Sequence, residues 1–388
     1  MTRLLGHRAN RQDLGYGFST RHGERHVTIE FRGVTKRYPD GTVAVDDLNL
    51  TVEDGTITVF VGPSGCGKTT SLRMINRMVE PTSGTVLLDG KDVSDGDPAL
   101  LRRGIGYVIQ HAGLFPHRTV LDNVATVPLL SGWDKGKARK RAAELLETVG
   151  LPAELGKRYP AQLSGGQQQR VGVARALAAD SPVLLMDEPF SAVDPIVREE
   201  LQDELLRLQS QLGKTIVFVT HDIDEAVRLG DKIAVLRVGG VLAQYGTPSE
   251  VLRHPVDDFV ASFVGKDRGY RGLSFLSAEG IVVEEVKRVE VGKPAPGPSD
   301  DWQVAVNAEG QPRGWLRPGS TVDGELAETD LVAGGSLYLQ GSPIRGALDA
   351  ALSSPASLGV VVDADQKVLG VVRAQQVLEV IEAPSLSS

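Results

Sequence analysis

The sequence predicts an α/β protein: a large domain built on a mostly parallel sheet, then a smaller α/β domain with an internal repeat. Three observations carry this. Between 27 and 265, β-branched runs of strand length alternate with segments of helical apolar spacing. A glycine-rich loop joins one such strand to one such helix, and 304–317 aligns without gaps to 360–373. At 388 residues the chain has room for two or three domains, each burying its own core.

Taken in order, 27–31 and 56–61 read as strands, with the turn signal Pro39-Asp40-Gly41 between them. After the loop at 62–67, the segment 69–78 carries Leu72, Ile75 and Met78 at helical spacing. Stretches 138–149 and 169–179 read as helices, and the apolar runs 183–186 and 215–219 as buried strands. The pattern loosens after 265, where Lys266, Asp267, Arg268, Gly269, Arg271 and Gly272 suggest a linker over 266–280. That divides a domain at 27–265 from one at 281–388.

The second domain repeats a short apolar strand, a polar turn and a Gly-apolar-apolar-Arg stretch. The turns are Asn307-Ala308-Glu309-Gly310 and Asp363-Ala364-Asp365-Gln366, and the stretches end at Arg317 and Arg373. Helices are expected over 344–352 and 376–381. Two copies make a paired fold, since repeat arrays generally need three or more.

With 42 Lys and Arg against 50 Asp and Glu, the net charge of -8 argues against an electrostatically driven nucleic-acid binder and suits a soluble cytosolic protein. No apolar run reaches the ~18 to 20 residues that cross a bilayer. Cys66 is the single cysteine, which excludes an intrachain disulfide and a cysteine-cluster metal site. Residues 1–26 hold five arginines among glycines and polar residues, without the apolar segment of an export signal. They read as a disordered N-terminal extension; a basic membrane-surface or partner-binding arm and an over-extended start are the alternatives.

Gly62-Pro63-Ser64-Gly65-Cys66-Gly67-Lys68-Thr69 matches the phosphate-loop pattern at every defined position, between a strand and a helix as that pattern requires. Its backbone N–H groups and the helix N-terminus suit phosphate, Lys68 suits the terminal phosphates, and the Thr69 hydroxyl suits Mg²⁺. Thr70 belongs to the same nucleotide-contact set. Cys66 reads as a small loop filler, with a thiol activated by the helix N-terminus as the sharper alternative. The strand at 183–186 ends in Asp187-Glu188-Pro189, two carboxylates at a strand mouth. Asp187 would organise the Mg²⁺ shell and Glu188 would accept the proton of an attacking water.

Leu163-Ser164-Gly165-Gly166-Gln167, followed by a helix, resembles the signature sequence of the ABC ATPase family. The other family motifs follow with suitable spacing: Tyr38, Gln110, Ser191-Ala192-Val193-Asp194 and Thr220-His221-Asp222. The resemblance covers 28–265 and implies a P-loop NTPase of the ABC type, a RecA-like core with a helical subdomain. It implies that Tyr38 stacks on adenine and that Gln110 contacts Mg²⁺ and water. It implies that His221 holds the γ-phosphate, that Ser164, Gly165, Gly166 and Gln167 complete the site of a second copy of the chain, and that Asp194 helps connect the two sites across the dimer. ATP and Mg²⁺ are the implied cofactors. Val193 stands where the family often has Leu.

The stretches 73–77, 80–84, 106–110, 113–117, 123–124 and 259–268 look like importer ATPases for quaternary amines such as glycine betaine, carnitine and choline, a group that often ends in paired CBS modules. The 304–317 and 360–373 repeat is similar to such a tandem CBS-like regulatory domain, though degenerate. Where nucleotide-binding modules commonly carry Ser or Thr and then Asp, this chain has Arg317 and Ser320, and Arg373 and Gln376. The implied partners are membrane-spanning permease subunits and, indirectly, a substrate-binding protein, which places the chain at the cytoplasmic face of the membrane. A soluble ABC ATPase without a transport role is the competing class; it usually carries two cassettes or a coiled-coil insertion, and neither is present. An importer for a different small solute also stays open.

Overall fold

The computed structural model describes residues 27–382 apart from 111–112, 179–180 and 192, together with two short paired strands, Thr20–Arg21 and Glu24–Arg25. The expectation of disorder over 1–26 otherwise lies outside the described residues. Contacts divide the chain into two compact units, Met1–Gly265 and Lys266–Ser388.

In the first unit a six-stranded sheet has the order Val241–Gly246, Lys232–Arg237, Ile57–Val61, Thr215–Thr220, Val183–Asp187, Ile105–Val108. Every neighbouring pair is parallel except the antiparallel edge strand Val241–Gly246. Ile57–Val61, Val183–Asp187 and Thr215–Thr220 are buried along their whole lengths, which is why they read as unbroken apolar runs. Strand periodicity sorts their side chains onto two faces. Val59, Leu184, Met186, Ile216 and Phe218 join one core with the helices. Phe60, Val183, Leu185, Val217 and Val219 join another, built with Leu72 and Ile75 of the helix Lys68–Ile75 and with the four-stranded antiparallel sheet. Each large apolar side chain buried this way contributes about 1.5–3 kcal/mol.

The antiparallel sheet pairs Ile29–Arg37 with Val43–Val52 through the hairpin at Pro39-Asp40-Gly41. Tyr38 sits at its entry, where its amide donates to the Thr42 carbonyl. The helix expected over 69–78 stops at Ile75, because Arg77 takes the left-handed region at φ 53°. In the helical part of this unit, Lys135–Thr148 is capped by Asp134 and buries Ala138, Ala142, Leu145 and Leu146. Among the described residues no helix is long and apolar enough to cross a membrane.

The second unit shows its repeat in hydrogen-bond register. The hairpin Gln303–Val306 with Pro312–Leu316 pairs Val304 with Trp315 and Ala305 with Gly314, and its register slips after Ala305. The hairpin Leu358–Val362 with Val368–Arg373 pairs Val360 with Val371 and Val361 with Gly370, and slips after Val361. Each turn is held the same way: Asn307 Oδ1 accepts from the Gln311 amide at 2.8 Å, and Asp363 Oδ1 accepts from the Lys367 amide at 2.8 Å. Both turns need a left-handed residue, supplied by Gly310 at φ 85° and by Gln366 at φ 62°. Val304, Val306 and Trp315 of one copy share a core with Val360, Val362 and Val371 of the other, so the copies fold against each other.

The segment 266–280 is not a linker. It forms the helix Arg268–Gly272 and the short turn Leu273–Phe275, with Leu273 buried against Ile344, Ala347 and Leu348. The charged and glycine-rich run 266–272 masked Leu273, Leu276 and Ala278, which supply the apolar face that docks on the helix Ile344–Ser353.

Candidate functional site

Strand order assembles the site. Ile57–Val61, Thr215–Thr220 and Val183–Asp187 lie side by side and run in the same direction, with Ile105–Val108 next in line. Their carboxyl ends deliver the loop at 62–67, His221, Asp187 with Glu188, and Gln110 to one edge.

The phosphate loop turns tightly. Gly67 has φ 93°, and a Cβ there would lie 2.1 Å from the Ala44 carbonyl oxygen, so no larger residue fits. The same approach sets the strand Val43–Val52 against the loop, and with it the hairpin that carries Tyr38. Tyr38 is 37% exposed and has Lys36 Nζ 5.3 Å from its ring centroid. Pro63, Ser64 and Gly65 form the outer turn, whose Ser64 and Gly65 are exposed. Lys68 is buried; its ammonium donates to the Gly62 carbonyl at 2.7 Å and the Pro63 carbonyl at 3.0 Å, which keeps the charge within the loop. Cys66 is fully buried, and burial pushes its thiol up despite Lys68 Nζ 3.8 Å away. Burial thus opposes the activated-thiol alternative, since thiolate is the reactive form.

Thr69 and Thr70 follow on the helix Lys68–Ile75. Thr69 Oγ1 donates to Asp187 Oδ1 at 2.7 Å, joining a hydroxyl and a carboxylate from elements 118 residues apart. The sequence reading missed two further partners of Asp187. Tyr107 donates to Asp187 Oδ2 at 3.4 Å, and Arg73 Nη2 lies 3.6 Å from the same oxygen. Arg73 has its basicity raised chiefly by its hydrogen bond to Tyr107, whose own phenol burial pushes up. The signals were there: Arg73 stands one helical turn after Thr69, and Tyr107 is the polar-tipped residue of the strand beside Val183–Asp187.

Glu188 takes the left-handed region at φ 45°, a strained choice for a residue with a side chain, costing on the order of 1–3 kcal/mol. Its amide donates to the Val219 carbonyl at 3.0 Å, and its carbonyl accepts from the Ser191 hydroxyl at 3.0 Å, which hold it there. The strain turns the carboxylate toward two partners: Gln110 Nε2 donates to Glu188 Oε2 at 3.3 Å, and His221 Nδ1 lies 3.2 Å from the same oxygen. Gln110 thus meets Glu188, while Thr69 meets Asp187 among the three residues expected around a metal.

Ser164 caps the helix Gly165–Leu177 in a reciprocal box: the Gln167 amide donates to Ser164 Oγ at 3.3 Å and the Ser164 amide to Gln167 Oε1 at 3.0 Å. Ser164 and Gly165 are exposed, and a Cβ on Gly165 would meet nothing within 4 Å, so this helix end is open to an approaching molecule. Asp194 is exposed and opens the helix Pro195–Leu212, its carbonyl accepting from the Arg198 amide at 2.8 Å.

A glycine-lined phosphate loop, a threonine hydroxyl on a carboxylate and a second carboxylate shared by glutamine and histidine define a P-loop nucleotide-binding protein of the ATPase class. Residues 45–191 match the ABC transporter family. The osmoprotectant import ATP-binding protein OsmV of Salmonella typhimurium is 48% identical over 284 residues, 71% of this chain and 74% of that protein. The carnitine transport ATP-binding protein OpuCA of Listeria monocytogenes is 53% identical over 240 residues, 62% of this chain, and the match spans 60% of that relative's length. Among solved structures, the dimeric bacterial ABC transporter cassette MJ0796 is 37% identical with a TM-score of 0.53, covering 57% of this chain and 98% of the cassette. The chain belongs to the ABC transporter ATP-binding protein family, and its first unit has that family's fold.

Proposed function

We propose that this chain is the ATP-hydrolysing subunit of an importer for a small quaternary amine of the glycine betaine, carnitine or choline type. The observation that carries the reading is Glu188, strained and clamped between Gln110 and His221 beside the Thr69–Asp187 pair. The relatives named for osmoprotectant and carnitine transport support the solute class.

In this reading the backbone N–H groups of 62–67 and the Lys68 ammonium hold the β- and γ-phosphates. Water attacks the γ-phosphorus, its proton passes to Glu188 Oε2, and the bond to the β–γ bridging oxygen breaks to release ADP and phosphate. Gln110 and His221 fix the direction of the carboxylate, and His221, with 58% of its side chain exposed, faces outward for the γ-phosphate. Hard oxygen donors at Thr69 and Asp187 fit Mg²⁺, which keeps most of its shell for phosphate and water and supplies charge neutralisation when bound.

Two further surfaces fit a motor subunit. The open N-terminus of the helix Gly165–Leu177 suits the γ-phosphate held by a second copy, consistent with the dimeric MJ0796 cassette described bound to ADP and Pi. A cavity of about 160 Å³ is lined by Met78, Tyr107, Val127 and Arg175; Arg175 Nη1 donates to the Gly113 carbonyl at 2.7 Å, and Phe115, two residues on, is 41% exposed. This is the face we assign to a membrane-spanning partner, and in this reading the chain works at the cytoplasmic side of the membrane.

The second unit is read as a CBS-like regulator that binds no adenine nucleotide. Gln376, where an aspartate would hold the ribose, donates instead to Glu284 at 2.7 Å. Arg373 pairs with Glu284 at 3.0 Å and Arg345 with Asp349 at 3.7 Å, so neither offers a bare charge to anionic lipid. The test is uptake of radiolabelled betaine, carnitine and choline by vesicles holding the chain with its permease and binding protein. ATP-driven uptake of one of them is expected, and hydrolysis without uptake of any would overturn the solute class. Removal of Lys266–Ser388 is expected to spare ATP turnover and to change the response of uptake to salt.

A further inference from the structure

Behind His221 lies a buried carboxyl group that the hydrolysis scheme does not use. Glu225, on the helix Ile223–Leu229, is 7% exposed, and burial pushes its carboxyl above the usual range. A group in such a place is retained only with partners. Thr220 Oγ1 donates to Glu225 Oε2 at 2.6 Å and accepts from the Asp222 amide at 3.0 Å. The residues on either side of His221 are therefore tied, through one hydroxyl, to this carboxyl group. Gln202 of the helix Pro195–Leu212 donates to Glu225 Oε1 at 3.3 Å.

The same helix brings Arg198 to the cluster. Its Nη2 donates to the Val193 carbonyl at 3.3 Å, immediately before Asp194, and its Nη1 lies 3.9 Å from Asp222 Oδ2. Its Nε is buried without a hydrogen-bond partner, 4.0 Å from Glu225 Oε1. An orphaned guanidinium N–H this close to a carboxyl oxygen needs only a small shift of either helix to close the bond. We propose that Glu225 is a positioning residue: it sets the His221 loop against Glu188 and, through Arg198, links that loop to the Val193–Asp194 segment. This rests on the ATPase reading above. Glu225 bonds Thr220 directly and reaches Asp222 through that same hydroxyl.

The test is steady-state ATP turnover of the full chain, with nucleotide binding followed by a fluorescent ATP analogue. Glu225→Ala is expected to lower kcat by about 10- to 100-fold, the scale of a misplaced catalytic group, with KM for ATP changed less than about twofold. On a His221→Ala background the same substitution should add less than about twofold, because the group it positions is gone. Glu225→Gln, which still accepts the Thr220 hydroxyl, should restore most of the turnover. Should Glu225→Ala not fold, Thr220→Val replaces it in the same cycle. The His221 ring resonance, assigned by its loss in His221→Ala, should move in Glu225→Ala while the other histidine resonances stay. Independent, multiplying losses or an unmoved His221 resonance would overturn the proposal. If the wild-type chain hydrolyses no ATP, the ATPase reading itself fails; wild-type turnover that falls with His221→Ala but not with Glu225→Ala sinks this inference alone.

Discussion

The Thr69 hydroxyl donates to Asp187 Oδ1 at 2.7 Å, and this bond joins the end of the phosphate loop to the end of the strand Val183–Asp187. Asp187 also receives Tyr107 and faces Arg73, so its carboxylate is held by three side chains from two elements, the helix Lys68–Ile75 and the strand Ile105–Val108, before any ligand contributes. Glu188, the next residue, has a different environment: its partners are the Gln110 and His221 side chains. In the proposed mechanism the two adjacent carboxylates take separate duties, one as a ligand and one as a base.

Glu188→Gln keeps the shape and most hydrogen bonding of the side chain but removes the proton acceptor. ATP turnover should fall by roughly 10² to 10⁴ while nucleotide binding survives. Phosphate release and equilibrium binding, measured on the same preparation, check this; retained turnover would take Glu188 out of its role.

Lys68→Ala deletes the ammonium that the Gly62 and Pro63 carbonyls hold inside the loop. Productive ATP binding and uptake should both be lost, because the β- and γ-phosphate charge loses its nearest fixed cation. A nucleotide titration reads the outcome directly, and an affinity equal to wild type contradicts the assignment.

Ser164→Arg puts a long cation on the open helix end and breaks the reciprocal box with Gln167. Loss of an N-cap costs about 1 kcal/mol, too little to unfold the unit, so the chain should stay folded. In the Glu188→Gln background, where blocked hydrolysis should let an ATP-bound dimer accumulate, it should nevertheless prevent that dimer, as read by size exclusion. Dimer formation at wild-type level would show that the two sites are not composite.

Burial raises the Cys66 thiol, so the thiolate fraction near neutral pH is smaller than for a free cysteine and grows only at more alkaline pH. Labelling by a maleimide at pH 7.5 should therefore be slow in the native chain and fast in denaturant. Rapid native labelling would mean that the loop opens far more than its fully buried cysteine indicates.

Leu273→Ala removes a buried side chain from the core shared with Ile344 and Leu348, and should cost about 2 kcal/mol. Urea unfolding followed by tryptophan fluorescence reports on this, since Trp302 and Trp315 pack edge-on within the second unit. A linker residue would leave the midpoint where it was.

What the sequence by itself determined is local: the phosphate loop between strand and helix, the carboxylate pair at a strand end, the Ser164–Gln167 helix opening and the repeat of the second unit. Each is written in neighbouring residues whose turn chemistry and apolar spacing act over a few positions. The register of the repeat follows from the same cause, because Asn307 and Asp363 close their turns from within. Only the tertiary structure decided that Glu188 meets Gln110, 78 residues away, and His221, 33 residues away, and that Tyr107 and Arg73 converge on Asp187. Those contacts depend on which parallel strands lie side by side, an order set by packing both faces of a buried sheet. The charged run at 266–272 hid Leu273 for a related reason: its three apolar partners lie some seventy residues on, at Ile344, Ala347 and Leu348, and no local pattern around 273 shows the helix that covers it.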